Sequence, residues 1–73
     1  EDVLSEMENV PNVQKKAGLL LKNIRSFNID QIRSACKLIF KYNRDESMKS
    51  THFKRCVMYL DLLENYSTKE KSQ

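Results

Sequence analysis

The most apolar stretch of the chain lies towards its C-terminal end, at residues 53–66 (FKRCVMYLDLLENY). Five of its apolar positions recur at the spacing of one face of an α-helix, which turns once every 3.6 residues or so. These positions are Phe53, Cys56, Val57, Leu60 and Leu63. Four more, Met58, Tyr59, Leu62 and Tyr66, widen the apolar arc beyond half of the circumference. A helix of this kind needs cover on more than one side. We therefore expect a helix at residues 51–66, capped by Ser50 or Thr51, that other helices cover only in part.

Two earlier stretches show the same periodicity and predict helices at residues 12–27 and 28–43. Asn12 and Asn28 precede them as N-caps, and Gln31 lies at the position that completes a capping box with Asn28. The inward residues predicted for the first are Val13, Ala17, Leu20, Ile24 and Phe27. Those predicted for the second are Ile29, Ile32, Cys36 and Ile39, with Ala35 and Phe40 beside them.

The remaining segments show weaker patterns. Residues 1–11 carry helical spacing up to Pro11, which interrupts a helix, so they form either a short helix or a loose arm. Residues 43–49 (NRDESMK) lack apolar periodicity and are interpreted as the longest loop, and residues 67–73 as a frayed tail. No segment alternates apolar and polar residues as a strand does. The sequence thus predicts a single all-α domain over residues 1–73: a bundle of three main helices with a core at 12–66.

The number of apolar residues exceeds what such a bundle can bury. One inward stripe per helix already fills the core of a domain this small. The residues left over, which we take as a candidate protein interface, are Leu19, Leu21, Leu38, Tyr42, Met58, Tyr59, Leu62 and Tyr66. Contiguous apolar surface usually marks an interaction site. The sequence therefore predicts a protein-interaction module that forms a homodimer or docks a partner helix or peptide.

The charge distribution gives the alternative function. Residues 15–55 contain eleven basic and three acidic side chains, within a chain of net charge +3. Four basic residues of the second predicted helix align as one stripe: Arg33, Lys37, Lys41 and Arg44. Such a stripe can neutralise phosphates, so nonspecific nucleic-acid binding is the alternative to an ordinary solvated helix face. Base reading by the last helix, as in a helix-turn-helix, is disfavoured because that helix is apolar and ends in Asp61 and Glu64.

The sequence offers few candidate residues for catalysis or for binding a metal or cofactor. His52 is the single histidine, and Cys36, His52 and Cys56 together lack the spacing and the fourth ligand of a structural zinc site. The chain has one glycine, so a glycine-rich phosphate loop is excluded. We expect no enzyme activity, no metal and no cofactor, and interpret both cysteines as core residues. Two cysteines in so small a domain favour a reducing compartment, cytoplasm or nucleus.

No family is recognised from these residues. The segment at residues 20–32 (LLKNIRSFNIDQI) is similar to helices of transcription-elongation-type helical bundles. The similarity covers about a dozen residues without a diagnostic motif, and no functional residue is carried over from it. No apolar run is long enough to cross a bilayer, which takes about 20 residues. We expect a soluble intracellular domain that is part of a larger protein.

Overall fold

The computed structural model describes the backbone of residues 3–72 and the side chains of residues 3–66. Within these residues all regular structure is helical, which confirms the all-α prediction. The α-helices are α1 (Val3–Asn9), α2 (Val13–Lys22), α3 (Ile29–Tyr42), α4 (Arg44–Lys49) and α5 (Thr51–Ser72), with a short 3₁₀ helix at Ile24–Ser26. α5 packs on both α2 and α3, and α1 packs on α2.

The predicted asparagine caps are present. The Asn12 side chain accepts a hydrogen bond from the Lys15 backbone N–H at 2.9 Å. At the start of α3, Asn28 accepts from the Gln31 N–H at 2.8 Å, and the Gln31 side chain accepts from the Asn28 N–H at 3.0 Å. These bonds satisfy N–H groups that have no partner inside their own helix. For α5 the cap is Ser50, whose hydroxyl accepts from the Phe53 N–H at 3.1 Å.

The interpretation of residues 43–49 as a loop is wrong, because α4 occupies most of this segment. Asn43 ends α3 and caps α4, with its side chain accepting from the Glu46 N–H at 3.1 Å. The residue that anchors α4 is Ser47, which is fully buried and donates to the Ile39 and Asn43 carbonyls. A helix held by one buried serine leaves no apolar periodicity in the sequence.

Two helix ends also differ from the prediction. The helix expected at residues 12–27 ends at Lys22, because the Asn23 side-chain amide donates to the Leu19 carbonyl at 2.9 Å and the chain tightens into the 3₁₀ helix. The last helix continues to Ser72 instead of ending at residue 66. The predicted frayed tail is therefore helical as far as its backbone is described, and residue 73 lies outside the described residues.

The core forms where α1, α2, α3 and α5 meet. Its buried apolar residues are Met7, Val13, Ala17, Leu20, Ile24, Ile32, Ala35, Cys36, Ile39, Phe53 and Cys56. Val57, predicted to be inward, is instead 40% exposed. Consecutive residues lie about 100° apart around a helix. With Cys56 facing the core, Val57 turns outward.

In the described part of the N-terminal segment, Val3–Asn9 form a packed helix and not a loose arm. Met7 is almost completely buried, and the Lys16 ammonium group donates to the Met7 and Glu8 carbonyls at 2.9 Å each. The same group lies 4.4 Å from the centre of the Tyr42 ring. The last carbonyls of a helix carry partial negative charge, which a buried cation can neutralise. Lys16, a residue of α2, thus links α2 to α1 by hydrogen bonds and to α3 by its contact with the Tyr42 ring.

Candidate protein-docking surfaces

The three most exposed of the large apolar side chains described on α5 form one line along its outward face. Met58, Leu62 and Tyr66 are 66%, 65% and 66% exposed, and they follow each other at intervals of four residues. Residues four apart are neighbours on a helix surface. We call these three residues the α5 stripe. It lies on the side of α5 that faces away from Cys56 and the core.

The other residues of the predicted interface divide into two groups. Leu38 and Tyr42 are exposed on α3, four residues apart, and line a shallow cavity of about 220 Å³ beside Lys16. Leu19, Leu21 and Tyr59 are only half-buried, and the last two pack against the core. The structure therefore brings the α5 stripe together, and it places Leu38 and Tyr42 on a separate surface.

A third apolar surface lies between α3 and α5, and sequence reasoning missed it. The cavity there measures about 350 Å³ and is lined by Arg33, Cys36, Lys37, Phe40, Lys41, Phe53 and Leu60. The Phe40 and Phe53 rings are stacked, with centroids 6.2 Å apart, and Phe40 is 40% exposed. We call this surface the α3–α5 groove. The signal that could have found it is Phe40, an aromatic residue placed beside the inward face of α3.

The predicted basic stripe is not a continuous feature of one helix. Arg44 belongs to α4, since α3 ends at Tyr42. Arg33 pairs with two carboxylates, donating to Asp30 at 2.9 Å and to Glu64 on α5. The hydrogen bond to Glu64 is the main cause that raises the pKa of Arg33. Lys37 and Lys41 remain exposed on α3, and among the described side chains no carboxylate pairs with either.

The cysteines are buried, free thiols. Burial raises the pKa of Cys36 to about 11 and, with the nearby Cys36 as a second cause, that of Cys56 to about 12. Both are therefore protonated near neutral pH, whereas nucleophiles and metal ligands are thiolates. His52 lies over Gly18, and its buried Nδ1 has no hydrogen-bond partner in the described part of the chain. No three His, Cys, Asp or Glu side chains come together as a metal site among the described residues.

Comparison of this chain with known protein families, with curated proteins and with solved structures finds no significant match. Within residues 3–72, no helix combines the length and the apolar character needed to cross a membrane.

Proposed function

We propose that this domain is a protein-interaction module that self-associates by pairing the α5 stripe with that of a second copy. The observation that carries the proposal is the exposure of Met58, Leu62 and Tyr66 in one line on the longest helix. Each of the three is about two-thirds exposed, more than any other large apolar residue in the described part of the chain. Water contact with this much aligned apolar surface is unfavourable, and pairing would remove it.

The stripe is suited to helix pairing. Side chains at intervals of four residues interdigitate with those of another helix in the manner of packed helices generally. Three residues per copy form a small contact, in the class of interfaces that bury less than about 1,200 Å² in total and are weak or transient. We therefore expect a monomer–dimer equilibrium in the micromolar range or above.

The test is sedimentation equilibrium of the domain across low to high micromolar concentration. The parent chain should show a concentration-dependent rise in mass, and Leu62→Glu and Met58→Glu should abolish it because each places a charge in the contact. Matched controls are Leu38→Glu on α3 and Met48→Glu on α4, which make the same changes at other exposed positions and should leave the equilibrium unchanged.

A parent chain that stays monomeric throughout would exclude self-association and leave the stripe to a foreign helix. A dimer unaffected by Leu62→Glu and Met58→Glu but lost on Leu38→Glu would move the interface to α3.

A further inference from the structure

The α3–α5 groove differs from the α5 stripe in being a shallow depression, open to solvent, with charged residues at its edge. Its floor is apolar, formed by the buried Cys36 and Phe53 with the half-buried Leu60. Phe40 forms one wall, held in place by its stacking on Phe53. At about 350 Å³ the cavity lies at the small end of ligand sites, which run from roughly 300 to 1,000 Å³. It has room for a small number of apolar side chains.

The charge at the edge of the groove is positive. Lys37 and Lys41 line it and are exposed, and among the described side chains neither has a carboxylate partner. Arg33, at the same edge, is occupied by Asp30 and Glu64. Lys37 and Lys41 are four residues apart on α3, so their Cβ atoms are separated by about one helical turn, roughly 6 Å. A partner with two carboxylates at that spacing can pair with both.

We propose that the α3–α5 groove binds an acidic amphipathic helix of a partner protein. One or two large apolar side chains of that helix occupy the cavity against Phe40 and Leu60, and acidic residues beside them pair with Lys37 and Lys41. Recognition of an amphipathic helix by a groove between two helices is a recurring binding mode in which apolar anchors supply most of the affinity. Exposed charges at the edge act chiefly on partner choice and association rate.

The same lysines favour nucleic acid less. Phosphates gain little from contact with an apolar cavity. Arginine is better shaped than lysine for bidentate phosphate contact, but the arginine at this groove, Arg33, already pairs with two carboxylates. The apolar floor is what distinguishes a peptide site from a solvated basic surface.

The experiment begins with selection of randomised peptides of about 16 residues, long enough for roughly four helical turns, displayed on phage and exposed to the full 73-residue chain. We expect enriched sequences with leucine, isoleucine or phenylalanine at helical spacing and aspartate or glutamate beside them. The enriched peptide is then synthesised with a fluorescent label and titrated by polarisation. Duplex and single-stranded oligonucleotides are titrated in parallel at the same low salt concentration.

Variants locate the binding site. Lys37→Glu with Lys41→Glu should weaken peptide binding about tenfold or more, and raised salt should weaken binding to the parent chain. The matched control reverses two exposed lysines of α2, Lys15→Glu with Lys22→Glu, and should change the affinity little. Phe40→Ser should reduce binding as well, and circular dichroism of each variant checks that the helices are retained.

Leu62→Glu should bind the peptide like the parent, since the groove and the α5 stripe are on different sides of α5. The proposal is overturned if selection yields no acidic amphipathic consensus, if the two double variants weaken binding equally, or if oligonucleotides bind more tightly than the peptide and lose affinity on reversal of Lys37 and Lys41. The last result would assign these lysines to nucleic acid.

Discussion

The α1 side and the α5 side of the core differ in how their apolar surface is covered. On the α1 side the buried Lys16 lies beside the buried Met7, and its ammonium group meets two carbonyls and the Tyr42 ring, although Tyr42 and Leu38 are themselves about half exposed. On the α5 side Met58 and Leu62 remain about two-thirds exposed. The fold therefore covers part of one side with a charged side chain, whereas the other side exposes a line of apolar residues that no other helix covers. Aligned apolar surface of this kind usually marks an interface.

The largest expected effect concerns the closed side. Lys16→Ala removes both hydrogen bonds from the ammonium group to the end of α1 and its contact with the Tyr42 ring, and it leaves the Met7 carbonyl with only the Val10 N–H as donor. Hydrogen bonds made by a charged group contribute about 1.5–3 kcal/mol, so the free energy of unfolding should fall by about that amount in urea denaturation. Amide hydrogen exchange should accelerate most in α1. The neighbouring Lys15→Ala, on an exposed side chain, is the control and should stay within about 0.5 kcal/mol of the parent. Equal losses from both variants would show that α1 is not fastened by Lys16.

The next effect compares two consecutive leucines of α5. Leu63 is half-buried and packs against the core, whereas Leu62 belongs to the outward stripe. Leu63→Ala should lower the free energy of unfolding by about 1–2 kcal/mol, somewhat less than a fully buried leucine. Leu62→Ala should change it by less than about 0.5 kcal/mol when measured at concentrations where the chain is monomeric. If Leu62→Ala were the more destabilising change, α5 would be oriented differently from this structure.

A pH-dependent effect, which is absent near neutral pH, comes from the buried thiols. Cys36 and Cys56 have pKa values of about 11 and about 12 in the folded chain, above the ordinary value of 9.0. As the pH rises above 9, thiols of the unfolded chain lose their protons while those of the folded chain keep them. Unfolding is then favoured, so stability should fall between pH 9 and the folded pKa values and should not change from these groups below pH 8.

Stability measured against pH for the parent and for a Cys36→Ala with Cys56→Ala variant checks this prediction. The double variant should show a shallower alkaline decline than the parent, since tyrosine and lysine titration is common to both. Identical slopes would mean that the two thiols do not change their ionisation on folding.

The helices were predictable from the sequence because their determinants are local. Apolar spacing and the caps at Asn12 and Asn28 act within a few residues, and both caps are present. α4 was not predictable in this way because Ser47, a polar residue, anchors it. Its contact with the Ile39 carbonyl depends on how two helices meet, which the sequence pattern does not express.

The candidate sites were likewise predictable only where they depend on local sequence. Exposure of Met58, Leu62 and Tyr66 follows from helical spacing once the inward face of α5 is known. The pairing of Arg33 with Glu64 joins residues 31 positions apart, and the α3–α5 groove depends on Phe40 meeting Phe53 across two helices. Long-range contacts such as these decide which basic residues remain unpaired, and a one-dimensional pattern cannot give them.

The most direct test of the self-association proposal is a pair of ¹⁵N-correlation NMR spectra of the assigned chain. They should be recorded at about 20 μM and about 1 mM, either side of the weak affinity expected for so small a contact. The proposal predicts concentration-dependent amide shifts that cluster on α5 around Met58, Leu62 and Tyr66 and disappear in Leu62→Glu. Spectra that do not change with concentration, or changes confined to Leu38 and Tyr42 on α3, would contradict it.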